Sequence, residues 1–215
     1  TGTLTGDVIS LEYYMDVLGN ESTRVLDFAF LNSIYHSGVC NPIDNAILAC
    51  QTMPGRSAYY TRLLAQYQKT DEIPFDYARK FVSTLVTEAD GAGQLIIKGD
   101  IAHVVARCGF VEYRDAVLPM DEDKMRSVAS VVDEMLQDGM KVIAVARKRI
   151  EKQNRILPED EQSMILMGYL AFFDAPNYEV RDLVVRIVAN ALEKGYEPKD
   201  IQVLAPKYGG VAGID

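Results

Sequence analysis

Residues 80–100 read KFVSTLVTEADGAGQLIIKGD: two runs rich in Val, Ile, Leu, Thr and Phe on either side of a turn containing Asp90, Gly91 and Gly93. Such runs suit pleated, half-buried strands, and the aspartate and glycines supply the tight connection, so the spacing predicts a β-hairpin. ADGAGQ has the look of a phosphate-cradling loop. It lies between two strands rather than between a strand and a helix, however, and a hairpin turn accounts for it. A hairpin at the centre of the chain makes an antiparallel, helix-covered sheet more natural than a doubly wound parallel one.

Working outward, GDVISLEYYMDVLG upstream alternates well enough for one or two strands. Ser22 and Thr23 can cap a helix whose apolar residues Val25, Leu26, Ala29, Phe30 and Ile34 recur at helical spacing. PIDNAILACQ predicts a second helix, with Pro42 in its first turn and Asp44 near the positive end of its dipole, and GRSAYYTRLLAQYQ a third. Downstream, Asp100 is placed to cap IAHVVARC, in which Ile101, Val104, Val105 and Cys108 share a face. DEDKMRSVASVVDEMLQDG reads as a longer helix with Met125, Val128, Val132 and Met135 inward and Gly139 as its stop. KVIAVARK and SMILMGYLAFFDAP read as strands joined by the polar excursion RIEKQNRILPEDEQ. A helix over YEVRDLVVRIVANALEKG, a strand over DIQVLAP and a glycine-rich end follow, with no internal repeat. The expected fold is α/β of the α+β type, an antiparallel β-sheet of about six strands flanked by helices.

Composition narrows the function classes. With 48% hydrophobic and 25% charged residues, the 215-residue chain has the make-up of an ordinary folded domain. Apolar runs such as DLVVRIVANAL fall short of the roughly 20 residues that cross a bilayer, so no direct membrane insertion is expected. A net charge of -9 argues against a broad nucleic-acid surface while leaving room for a local basic pocket. Cys40, Cys50 and Cys108 lack metal or disulfide spacing and read as free thiols, and His36 and His103 stand without the acidic helper a zinc site needs. There is no G-x-S-x-G, no Walker loop and no G-x-G-x-x-G, and no hydrolase constellation stands out.

Two local features point to a small-molecule site. Lys98 ends a predicted strand, where its ammonium can point into a cleft, and Gly99 lacks a Cβ and permits close backbone approach. Phe75, in EIPFDYARK, would give a flat base a face to stack on, beside Lys80. Taken with TGTLT at residues 1–5, DGMKVIAVARK and GYLAFFDAP, in this order and at these intervals, these segments closely resemble the cytoplasmic nucleotide-binding domain of P-type cation-transporting ATPases, most nearly the bacterial magnesium-transporting subgroup. The resemblance covers roughly residues 1–176 and leaves 177–215 as a tail of uncertain origin.

The resemblance implies an ATP-binding domain fragment that presents ATP, with Mg2+ in the intact pump, to a phosphorylation-site aspartate. In the family that aspartate and a lysine immediately precede TGTLT, so the chain is expected to be a piece cut two residues after the phosphoryl acceptor. It should bind nucleotide without turnover. The implied partners are ATP and the phosphorylation and transmembrane domains of the parent pump, with no nucleic acid. The implied location is the cytoplasmic face of the cell membrane, the fragment itself being soluble. Residue by residue, Phe75 matches the aromatic that stacks on adenine and Lys80 the basic residue five positions later. Lys98 and Gly99 match the family's lysine-glycine-alanine motif, Lys141 a phosphate-reaching position more often arginine, and Asp44 an acidic residue near the adenine amino group.

Three departures accompany the match. Asp100 replaces the usual alanine and sets an anion beside Lys98; Lys141 gives up the bidentate phosphate recognition of arginine; Asn177 stands where the hinge formed with Asp174 and Pro176 usually carries a basic residue. Weak nucleotide binding follows as an expectation. The rival reading is a non-catalytic interaction module with a degenerate nucleotide pocket. The family's threonine-glycine-aspartate turn and glycine-aspartate-glycine loop are absent from residues 177–215, whose end bears a faint likeness to a segment of superfamily-one helicases without their Walker loop.

Overall fold

The computed structural model describes residues 5–38, 41–114, 116–151, 153–176 and 178–202. Most of the TGTLT segment, Cys40, Asn177 and most of the expected strand over DIQVLAP lie outside the described residues.

The central hairpin forms as read, with β3 (Phe81–Glu88) and β4 (Gly93–Asp100) paired antiparallel in continuous register from Phe81↔Gly99 to Thr87↔Gly93. Around it the sheet grows to eight strands, two more than expected. β2 (Tyr67–Ile73) lies outside β3, while β7 (Lys141–Ile150) and β8 (Met164–Pro176) continue inward from β4. The far edge of β8 is shared: β5 (Cys108–Tyr113) pairs parallel along Met164–Leu166, and β1 (Thr5–Asp16) antiparallel along Gly168–Pro176. β6 (Ala116–Pro119) closes the β5 edge. Among the described residues every strand pairing except β5–β8 is antiparallel.

Helices cover both faces. Strand residues alternate between faces, so β4 sends Leu95 and Ile97 to one side and Ile96 to the other, all fully buried. One core packs Ile96, Val86, Val145 and Phe172 against residues of α1 (Thr23–Tyr35), α2 (Pro42–Leu48) and α3 (Ser57–Gln66), among them Leu26, Phe30, Ile47 and Tyr60. The other packs Leu95, Ile97, Phe81 and Tyr169 against Val104 of α4 (Ile101–Val105) and Val128, Val132 and Met135 of α5 (Glu122–Gln137). α6 (Tyr178–Glu193) follows β8, and of its residues 182–193 none belongs to either core.

The differences from the sequence reading have local causes. β2 (YQKTDEI) is a polar edge strand with no apolar run to mark it. The helix after Asp100 is only five residues long, so Cys108 opens β5 instead of completing a helical face. Met125, read as inward, is 50% exposed, and Ile34, at the end of the helical spacing in α1, is 38% exposed. The fold also supplies each histidine with the acidic partner that sequence spacing does not show: His36 meets Asp44 and His103 meets Asp100. Cys50 and Cys108 are free thiols. Among the described residues no helix is long and apolar enough to cross a membrane.

Gly168 sits where β8 passes from one edge partner to the next, and a Cβ there would lie 1.9 Å from the Met15 carbonyl oxygen. Because that neighbour is backbone, Gly168→Ala is expected to destabilise the fold by about 2 kcal/mol or more in urea denaturation. Truncation after Pro176, by contrast, removes none of the described residues of either core. The shortened chain is expected to keep its cooperative unfolding and its amide spectrum for residues 81–100, and loss of the fold would contradict that.

Candidate functional site

The register of the sheet gathers the sequence-selected residues at one end. Ile73 pairs with Ser83, Phe81 with Gly99 and Gly99 with Ala144. The end of β2, the start of β3, the end of β4 and the start of β7 therefore emerge together. Phe75 follows β2, Lys80 precedes β3, Lys98 and Gly99 close β4, and Lys141 opens β7. The pleat of β7 sets Lys141 on the side of Ile143 and Val145, the face covered by α1, α2 and α3.

Lys98 shares the β4 face of Ile96 and is only 5% exposed. An ammonium forced into a helix-covered face requires an anion, and α2 supplies it. Asn41 caps α2 by accepting the Asp44 N–H at 2.9 Å, fixing Asp44 in the first helical turn. Asp44 is 2% exposed; its Oδ1 accepts from Lys98 Nζ at 2.5 Å, and Lys98 Nζ also donates to Ser33 Oγ of α1. His36 Nε2 lies 2.9 Å from Asp44 Oδ2, and its Nδ1 accepts the Gly38 N–H at 3.0 Å. With Nδ1 accepting, the Nε2–H tautomer donates to Asp44. Burial alone would raise the Asp44 carboxyl, but the His36 hydrogen bond and the Lys98 charge outweigh it and hold the group well below the usual carboxylate range.

Phe75 is 51% exposed and meets the ring of Tyr77 edge-on at 5.5 Å between centroids. Lys80 is exposed and takes a positive φ of 57°, and its carbonyl accepts the Asp100 N–H at 3.0 Å. Gly99 is required at this crossing: a Cβ would lie 2.3 Å from the Lys80 carbonyl oxygen and 2.5 Å from Phe81 Cα. The close approach it permits is that of its own neighbouring strand. Asp100 caps α4, accepting the His103 N–H at 3.2 Å and facing His103 Nδ1 at 2.5 Å. Burial raises its carboxyl, but the His103 contacts and the Lys80 charge together lower it.

The sheet thus places an exposed ring, an exposed lysine turn and a buried Asp44–Lys98 pair at a common end. His36 and Ser33, which complete the buried pair, were not legible in the sequence, since they reach Asp44 and Lys98 only through the packing of α1 against α2 and β4. Arg79 and Glu161 were missed as well; they meet across 82 residues of chain.

Replacing one member of a buried ion pair strands the other. Asp44→Asn is expected to cost about 3–5 kcal/mol in urea denaturation. The depressed Asp44 carboxyl means that the folded chain binds fewer protons than the unfolded one, so this contribution is present above the unfolded carboxylate value and is lost as pH falls below about 4. The acid limb of the stability profile is expected to flatten in Asp44→Asn, and an unchanged limb would contradict the assignment.

Comparison with known proteins bears on this arrangement. The description P-type ATPase, cytoplasmic domain N, fits residues 36–179. Over the full chain the sequence is 34% identical to a magnesium-transporting ATPase, P-type 1, of Escherichia coli K12 and 33% identical to one of Salmonella typhimurium LT2. A calcium-transporting ATPase of Listeria monocytogenes is 29% identical over 141 residues, 65% of this chain and 16% of its own length. The chain spans 24% of the length of the two magnesium-transporting relatives, and those alignments run through residues 177–215, so the tail is shared with them. The chain belongs to the P-type ATPase family and carries its cytoplasmic domain N.

Proposed function

We propose that this chain is the nucleotide-binding domain of a magnesium-transporting P-type ATPase, taking up ATP at the sheet end that carries Phe75, Lys80, Lys98, Gly99, Lys141 and Asp44. The observation that carries the reading is the convergence of a half-exposed aromatic ring and three lysines on four adjacent strand ends, with a buried carboxylate behind them. Each has a role that its chemistry suits. Phe75 offers a face to the purine, worth about 1–3 kcal/mol by analogy with base stacking. Asp44 accepts from the exocyclic amine, and Lys98, Lys80 and Lys141 offset the charge of the phosphates.

In the longer protein the domain would present the γ-phosphate to an aspartate outside these residues, catalysis being positioning and charge neutralisation. A magnesium ion bound with the nucleotide would supply further neutralisation of phosphate charge. The part proposed for these residues is to bind and orient the nucleotide. On this reading the chain alone binds ATP without turning it over. The exposed Leu183, Val185 and Ile187 of α6 would meet other domains of the pump on the cytoplasmic face of the membrane.

One observation favours the rival, an interaction module with a decayed pocket: Lys98 and Asp44 are engaged with each other, and Asp100 adds an anion at the same strand end. An ATP titration followed by NMR separates the two. Shifts concentrated at Phe75, Lys98 and Gly99 at millimolar nucleotide support ATP binding, and their absence from a folded chain supports the rival. In calorimetry Phe75→Ala is expected to weaken binding about ten-fold and Lys80→Ala less, because stacking excludes water while an exposed charge is screened. Equal or reversed losses would contradict the assignment of Phe75.

A further inference from the structure

Residues 74–78, which carry Phe75 and Tyr77, are all exposed, so burial does not hold them. Two local bonds shape the turn: Asp76 Oδ1 accepts the Ala78 N–H at 2.6 Å, and the Asp76 carbonyl accepts the Lys80 N–H at 2.6 Å. Its Lys80 end is tied to the sheet by the Asp100 N–H, and its Phe75 end is attached to the body of the protein through Arg79. The guanidinium donates from Nη1 to the Pro74 carbonyl at 3.1 Å, beside Phe75, and from Nη2 to Ser83 Oγ of β3 at 3.0 Å. It lies 4.6 Å over the Phe81 ring and pairs through Nη2 with Glu161 Oε1.

Glu161 is fully buried at the end of a 3-10 turn, Pro158–Glu161, in the β7–β8 connection. Its Oε1 also accepts from Ser83 Oγ at 2.5 Å. The turn that carries it is itself tied down. Lys148 Nζ donates to the Asp160 and Gln162 carbonyls at 3.0 and 2.8 Å, and the Ile156 N–H donates to Asp71 of β2 at 2.8 Å.

A buried pair of this kind is a poor device for stability. Among the described residues Glu161 Oε2 and Arg79 Nε are buried without hydrogen-bond partners, so the desolvation of both ions is incompletely compensated there, and well-packed apolar side chains would serve the core as well or better. What the charges supply is direction: a carboxylate at a fixed point orients a planar guanidinium, and the guanidinium orients the peptide before Phe75. We propose that Glu161 is a positioning residue for the candidate site, acting through Arg79 to hold the 74–80 turn and the Phe75 ring in a ligand-ready geometry. Its effect on ATP rests on the nucleotide-binding reading; its effect on the turn does not.

The test uses the full chain and Glu161→Gln, which keeps shape and removes charge. Backbone 15N order parameters at residues 76–79 are expected to fall from about 0.85 toward 0.6 or below, with those of β3 and β4 unchanged. ATP affinity is expected to drop about ten-fold, and this loss should vanish when Phe75 is already alanine, because the latch acts through that ring. Should Glu161→Gln fail to fold, Arg79→Lys keeps a charge partner for Glu161 but cannot bridge to Pro74 and Ser83 in one plane, and the same loosening is expected. Unchanged order parameters in the folded variant overturn the proposal. So does an ATP loss of equal size in the Phe75→Ala background, which would mark Glu161 as merely structural. A loosened turn in a chain whose wild type gives no ATP shifts upholds the latch and defeats the nucleotide reading.

Discussion

The alternation of β4 is the constraint on which the candidate site depends. A strand covered by helices on both faces leaves no solvent side, so the residue after Ile97 enters the face of Ile96 whatever its chemistry. That residue is Lys98, and its ammonium is stabilised there as α2 delivers Asp44 and α1, with the His36 that caps its end, delivers Ser33 and the Asp44 partner to the same point. The ion pair fastens α1 and α2 to the sheet and, by the same contacts, sets an oriented carboxylate behind the end from which Phe75, Lys80 and Lys141 emerge.

Much of the fold was legible because it obeys local periodicities. The β3–β4 hairpin carries its turn residues in the middle of two β-rich runs, and α5 shows Val128, Val132 and Met135 at helical spacing, stopped by a glycine of positive φ at residue 139. β2 escaped because an exposed edge strand has no need of an apolar face, and β5 because its first residue, Cys108, continues the spacing of a helix that ends at Val105. Helical periodicity also overstated burial at Met125, which is half exposed in the first turn of α5.

The site was legible differently. Phe75, Lys98 and Gly99 stood out by their local chemistry and the likeness to an ATPase domain added Lys80, Lys141 and Asp44; the register then brings the strand ends that carry the ring and the lysines to one end of the sheet, since four consecutive strands pair antiparallel. Their supporting contacts had no sequence signal. His36 reaches Asp44 around the α1–α2 junction, and Glu161 reaches Arg79 across 82 residues of intervening chain. Gly99 carries a double meaning, matching a family motif while also being required by the contact of its strand with Lys80 and Phe81.

Nucleotide use of this end requires that Asp44 serve two masters: the ammonium that it neutralises now and a donor arriving from a ligand. A carboxylate has acceptor capacity for both, provided that His36 keeps its orientation. A crystal structure of the chain with a non-hydrolysable ATP analogue tests this most directly. The account predicts the purine against the Phe75 ring with its exocyclic amine within hydrogen-bonding distance of Asp44 and the phosphates toward the lysines. An analogue bound elsewhere, with the Phe75 ring bare and the Asp44–Lys98 pair unapproached, would contradict it.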